Sequence, residues 1–170
     1  MGDARGMGSE AISGARRVCG RTLRVLEGRI PPGVGRGGCM KFPEPLTILL
    51  VEDDPLIQDM ITDCLSLHGC HLEVAADGRE GIERFRTSRF DLVITDWAMP
   101  SMDGEEFART IKAWAPNQPI LMLSGYGATR FGGTIHPPQV DKILKKPVHL
   151  DELLAVIADL IHRRRAGHNA

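Results

Sequence analysis

The residues best equipped for chemistry in this chain fall at the ends of apolar runs. Asp96 follows Leu92-Val93-Ile94-Thr95, a short β-branched run of the kind that makes a strand buried on both faces of a parallel sheet. Glu52, Asp53 and Asp54 follow the run at 47–51, Ser124 follows the run at 120–123, and Lys146 comes just after Ile143-Leu144. Parallel strands would gather all these polar residues on one carboxyl edge, where open α/β sheets hold their ligands. Carboxylates brought together there repel by about 4 kcal/mol per pair at a separation of about 4 Å and an effective dielectric near 20. Such a cluster calls for a cation. An oxygen-only set with room for water suits Mg2+, which prefers one or two carboxylates plus a phosphate to an all-protein cage. With the charge neutralised, an aspartate can attack a phosphoryl donor and form an aspartyl-phosphate. Transfer then depends on positioning and counter-charge, for which Lys146 offers a point charge and Ser124 a hydroxyl donor.

The elements that must position these residues are legible as alternating strands and helices. After the strand at 47–51, Pro55 opens a helix in which Leu56, Ile57, Met60, Ile61, Cys64 and Leu65 recur at helical spacing, and His68-Gly69 ends it. Residues 71–76 alternate as a strand, Asp77-Gly78 turns, and a helix at 81–86 presents Ile82 and Phe85. Beyond Asp96, Pro100 and Gly104 bracket a turn, with Glu105 and Glu106 at the start of a helix where their charge suits the dipole. That helix, 105–114, turns Phe107, Ile111 and Trp114 inward, and Pro116 stops it. A helix between residues 128 and 139 would be interrupted by Gly132-Gly133 and Pro137-Pro138. Leu150, Leu153, Leu154, Ile157, Leu160 and Ile161 define a last amphipathic helix, with Asp151-Glu152 at its start and Arg163-Arg164-Arg165 at its end. The expected fold is a doubly wound α/β domain with a five-stranded parallel sheet and helices on both faces.

Composition narrows the function classes. At 170 residues and 42% hydrophobic content the chain can bury one substantial core. Its net charge of −1 does not favour nucleic acid as a partner, and the charge is uneven: residues 1–40 carry seven Arg against three acids, so the acidity belongs to the remainder. Residues 1–45 hold ten of the nineteen glycines and are expected to be a disordered Gly/Arg-rich extension, with Met40 a candidate translation start; residues 46–165 form the domain and 166–170 a tail. Cys19, Cys39, Cys64 and Cys70 have neither zinc spacing nor the density of a secreted scaffold and read as free thiols of a cytoplasmic protein. No apolar run approaches the ~20 residues that cross a bilayer.

From about Leu46 to Arg163 the chain resembles the receiver domain of two-component response regulators, the family that includes the single-domain chemotaxis regulator, with a flavodoxin-like (βα)5 fold. The motifs fall in order: the acids after the first strand, Asp96 ahead of Met99-Pro100 and then Met102-Asp103-Gly104, Ser124-Gly125, and Lys146-Pro147. The resemblance implies that Asp96 is the phospho-acceptor and that Glu52 and Asp53, the latter more directly, hold Mg2+ with Asp96 and the Ala98 backbone carbonyl. It implies Ser124 as the hydroxyl switch residue, Lys146 as the phosphate-sensing lysine with a cis bond to Pro147, and a phosphohistidine on a sensor histidine kinase or phosphotransfer protein as donor. Members usually carry Tyr or Phe where Ile143 stands.

Taken singly, each residue has a plainer reading. Alone, Asp96 would read as a helix cap, Asp54 is as well suited to capping the helix that Pro55 opens as to touching metal, and Lys145 is a surface lysine. Trp97 and Tyr126 are read as pocket rims, Trp114 as core, and none of the six His has ligand spacing. The expectation is a phospho-accepting domain that catalyses at most its own phosphorylation and dephosphorylation, with output by docking to another protein or onward relay and without DNA or membrane contact. Two rivals are a phosphorylation-independent interaction module and a Mg2+-dependent phosphatase; the second usually wants an acid two residues after the nucleophile, where Ala98 stands.

Overall fold

A computed structural model describes residues 42–125 and 137–167. The expectations for the extension as far as Lys41, for Tyr126, for Gly132-Gly133 and most of the interrupted helix, and for the last three residues lie outside that range. The described residues all belong to the second of two units into which the chain divides, Pro32–Ala170.

Among the described residues, five strands and four helices follow in order: β1 (Leu46–Val51), α1 (Pro55–Leu67), β2 (Cys70–Ala75), α2 (Gly78–Thr87), β3 (Leu92–Asp96), α3 (Gly104–Trp114), β4 (Ile120–Ser124), β5 (Lys142–Lys145) and α4 (Leu150–Gly167). The sheet runs β2-β1-β3-β4-β5 with every pair parallel. Because successive strand side chains face opposite ways, Ile48 and Leu50 pack on one side with Ile61 and Leu65 of α1 and Leu153, Leu154 and Ile157 of α4. Leu49 and Val51 pack on the other with Phe107, Ala108 and Ile111 of α3. The expected doubly wound architecture is present, with a core on each face.

The amino edge of the sheet is pinned by acids that accept from strand amides. Asp91 Oδ2 accepts from Thr47 N at 2.9 Å, and Asp141 Oδ2 accepts from Ile120 N at 2.8 Å and from Lys112 Nζ at 2.9 Å. Arg164 donates to the Phe90 and Asp91 carbonyls at 3.0 and 2.7 Å, tying α4 to the start of β3. Phe42 packs against the first core and Glu44 pairs with Arg165 at 2.6 Å, so described structure starts ahead of Leu46, and α4 continues to Gly167.

Several local expectations need correction. Leu56 is 78% and Met60 47% exposed; each lies about 100° or more around α1 from Ile61, on the flank of a stripe too narrow to cover both. Trp114 is 50% exposed rather than core, because α3 ends there, beyond the sheet; Arg86 lies over its ring at 5.8 Å. Asp77-Gly78 is no turn: Asp77 caps α2 by accepting from Arg79 N and Glu80 N, while Glu80 accepts from Ala76 N just ahead of the cap, a reciprocal arrangement that starts the helix at Gly78. Gly69 has φ +86, the left-handed conformation expected of a helix terminator. Lys145 is exposed. Among the described residues, no helix is long and apolar enough to cross a membrane.

Candidate functional site

The carboxyl edge of the sheet brings most of the candidate residues together. Strand register places the end of β1 beside the end of β3 (Val51 opposite Thr95), β3 beside β4 (Asp96 opposite Leu123), and β4 beside β5 (Ser124 opposite Lys145). Backbone bonds carry the pairing one residue past the strands: Glu52 N donates to Ala75 O, Trp97 N to Leu123 O and Lys146 N to Ser124 O, at 2.7–3.1 Å. Side chains in that row are therefore fixed at their roots.

Ligand atoms of Glu52, Asp53 and Asp96 lie within 4.8 Å of one another. Glu52 is fully buried and Asp96 6% exposed, whereas Asp53 is open to solvent. Lys146 Nζ donates to Glu52 Oε1 and Oε2 at 2.9 and 2.8 Å and stands 3.0 Å from Asp96 Oδ1. Burial pulls the Lys146 ammonium towards a lower pKa, but its hydrogen bonds to Glu52 and Asp96, and their charge, outweigh that and hold it above the ordinary lysine value. For Glu52, burial raises the pKa, the Lys146 bond lowers it, Asp96 raises it again, and the balance is upward. Contact of one ammonium with both Glu52 oxygens at under 3 Å favours the charged pair.

The remaining candidates are placed less closely. Ser124, 1% exposed, ends β4 with its hydroxyl donating to the Gly125 carbonyl at 3.1 Å. Asp54 caps α1, accepting from Leu56 N at 2.9 Å, and stands apart from the three-acid group, so the capping alternative holds. Ala98 lies exposed in the loop two residues beyond Asp96. In the same loop Trp97 is half-buried against the second core, and Ser101 takes φ 70, in the left-handed region. The Lys146-Pro147 bond is cis.

Two supporting roles escaped the sequence reading. Gly104, read as the end of a turn and as part of the Met102-Asp103-Gly104 motif, has a further part: a Cβ there would collide with the Asp96 carbonyl oxygen, and its amide donates to Trp97 O at 2.9 Å. The backbone of α3 can approach Asp96 this closely only without a side chain. Gln58, one turn into α1, donates to the Glu52 carbonyl at 2.5 Å; nothing in its spacing marks it out. The group as a whole can hold a divalent cation between Asp53 and Asp96 while offering a positive charge to an incoming anion. Its donor set, oxygen only and solvent-open at Asp53, fits Mg2+.

Comparison with known proteins agrees with this geometry. The family model described as "Response regulator receiver domain" matches residues 48–158. The response regulator MprA of Mycolicibacterium vanbaalenii is 34% identical over 119 residues, 70% of this chain and 52% of that protein. The response regulator receiver protein CpdR of Brucella abortus is 32% identical over 114 residues, 67% of this chain and 95% of that one. The chain thus spans about half the length of the MprA regulator it matches. Among solved structures, the response regulator protein TrrA from Thermotoga maritima, in complex with Mg(2+)-BeF, superposes with a TM-score of 0.62 at 27% identity, covering 68% of this chain and 98% of that one.

Proposed function

The chain belongs to the response regulator receiver family, and on that premise we propose that it is a phospho-accepting receiver in a two-component phosphorelay, with Asp96 as the acceptor. A carboxylate oxygen of Asp96 forms the new O–P bond as the N–P bond of a phosphohistidine breaks, and the imidazole leaves with the bonding pair. The donor is a sensor histidine kinase or a histidine phosphotransfer protein. Glu52, Asp53 and Asp96, with the Ala98 carbonyl, are the residues that would hold Mg2+. The chemistry a bound Mg2+ supplies is neutralisation of the clustered acids and of the phosphoryl oxygens. Lys146 meets the new charge of about −1.5 to −2, and Ser124 turns its hydroxyl from Gly125 to a phosphoryl oxygen.

The observation that carries this reading is the meeting of Lys146 with Asp96 at 3.0 Å inside a three-acid group. The Mg(2+)-BeF in TrrA supports the choice of ion. The domain, in a cytoplasmic setting, acts on no substrate beyond its own phosphoryl group, and its output is docking to another protein or onward relay. The test is incubation with Mg2+ and a small acyl phosphate, followed by intact-mass measurement. One phosphoryl group is expected on the protein and none on Asp96→Asn. No gain on the unsubstituted protein would instead favour a phosphorylation-independent interaction module, and sustained phosphate release from small esters a phosphatase.

A further inference from the structure

Most of the described arginines are matched to an acid: Arg84 to Glu80, Arg109 to Glu105, Arg163 to Asp159 and Arg165 to Glu44. Arg86 and Arg89 have no carboxylate partner among the described residues. Arg86 lies instead over the Trp114 ring, and Arg89 stands exposed just past the Ser88 cap of α2. Both line one open cleft of about 510 Å³ at the amino edge of the sheet, between the turns that leave α2 and α3, with Arg164 of α4 as its third cation. No acid among the described residues lines that cleft, while Phe85 and Pro116 give it an apolar wall. Arg164 is anchored through Nη1 alone, to the Phe90 and Asp91 carbonyls and, at 3.7 Å, to Asp91 Oδ1. A guanidinium has further donors on Nε and Nη2, and those have no acceptor among the described residues.

We propose that this cleft binds an organic diphosphate of nucleotide size, its phosphates held by the guanidiniums of Arg86, Arg89 and Arg164 and its organic part against Phe85 and Pro116. The planar fork of a guanidinium matches phosphate oxygens two at a time, and the cleft falls within the roughly 300–1,000 Å³ usual for small-molecule sites. Its volume exceeds what an inorganic ion needs, and the apolar wall accounts for the rest. The C-terminal ends of α2 and α3 bring roughly −0.5 charge each to this rim. Arg86 and Arg89 outweigh the two together, so the surplus is positive even with Arg164 set against Asp91. Compensation of the helix dipole would explain Arg86, in the last turn of α2, but not Arg89, which lies beyond the cap. The site stands at the opposite edge of the sheet from Asp96 and does not depend on the reading of that residue as acceptor.

The test uses the full chain with divalent ions removed by a chelator, so that the acidic edge cannot recruit phosphate through a metal. The diphosphates of adenosine, guanosine, cytidine and uridine are titrated at low salt while backbone amide shifts are followed. At least one should shift the amides of residues 85–90, 115, 117 and 118 to saturation. Inorganic phosphate should act on the same amides about tenfold more weakly or worse, and the matching nucleoside, which lacks phosphate, should leave them unmoved. Arg86→Ala with Arg89→Ala should weaken binding by about tenfold or more. Arg163→Ala with Arg165→Ala removes the same charge from exposed, acid-paired positions and should stay within about twofold. The same spectra report whether each variant is folded. Shifts that never saturate, equal losses in the two double variants, equal binding of inorganic phosphate, or silence with all four diphosphates would overturn the proposal. Tighter binding of a short DNA duplex at these amides would assign the cleft to nucleic acid and overturn it as well.

Discussion

The two edges of the sheet use the same materials to opposite ends. At the amino edge, Asp91 accepts from Thr47 N and faces Arg164, and Asp141 accepts from Ile120 N and Lys112. Each acid there has an amide and a cation of its own, so no negative charge is left over. At the carboxyl edge three acids gather beside one lysine, Lys146, which pairs with Glu52 and Asp96. Identical residue types are thus structural where every charge has its partner and chemically available where negative charge is in excess. The difference lies in stoichiometry and in burial, the Glu52 and Asp96 side chains being 1% and 8% exposed against 42% and 39% for Asp91 and Asp141, and not in residue identity or proximity to a strand end.

The largest effect that would break this contrast comes from exchanging which acid is removed. Asp96→Asn should abolish the proposed phosphoryl uptake, whereas Asp141→Ala should leave uptake intact, measured by intact mass under one set of conditions. Next in size is Gly104→Ala, where the added methyl meets the Asp96 backbone and α3 must retreat. We expect about 3 kcal/mol of lost stability by urea titration, together with slower uptake. Asp141→Ala should itself cost about 2 kcal/mol, because it strands a strand amide and the Lys112 ammonium.

A pH experiment sharpens the contrast from the amino edge. Burial raises the Cys70 thiol from 9.0 to about 11. Its folded pKa lies above the unfolded one, so the stability it contributes is fully present below pH 9.0 and is lost as pH climbs towards 11. Unfolding free energy should fall by the order of 2 kcal/mol across that window and stay flatter in Cys70→Val, as read from urea midpoints at each pH. The smallest effect belongs to Trp114→Leu, which loses a half-exposed cation–π contact with Arg86; about 0.5 kcal/mol is expected, with uptake unchanged.

The sequence was most informative where a strand changes into a polar residue. The run Leu92–Thr95 predicts a buried strand because its pattern leaves no polar face, and once the strands are parallel, Asp96, Glu52 and Lys146 must share an edge. What pattern could not carry was stoichiometry and depth. That Lys146 takes both Glu52 oxygens depends on side-chain reach across 94 residues of separation, and the need for glycine at 104 depends on how closely α3 approaches β3. Helical period says which residues share a stripe, not how far the neighbouring sheet extends beneath it, and Trp114, expected in the core, stands half exposed for that reason. At Asp77 the residues Asp-Gly, which favour a turn, also begin an Asp-x-x-Glu cap, and in the fold the cap wins.

Glu52, Asp96, Ser124 and Lys146 each follow or end a different strand, and the first and last of them stand 94 positions apart along the chain. During synthesis, an aspartate emerging from the ribosome has no lysine beside it until nearly the whole domain has left the tunnel. On the proposed reading, competence to accept a phosphoryl group and completion of the fold are then one event, and an unfinished or misassembled copy stays unphosphorylated.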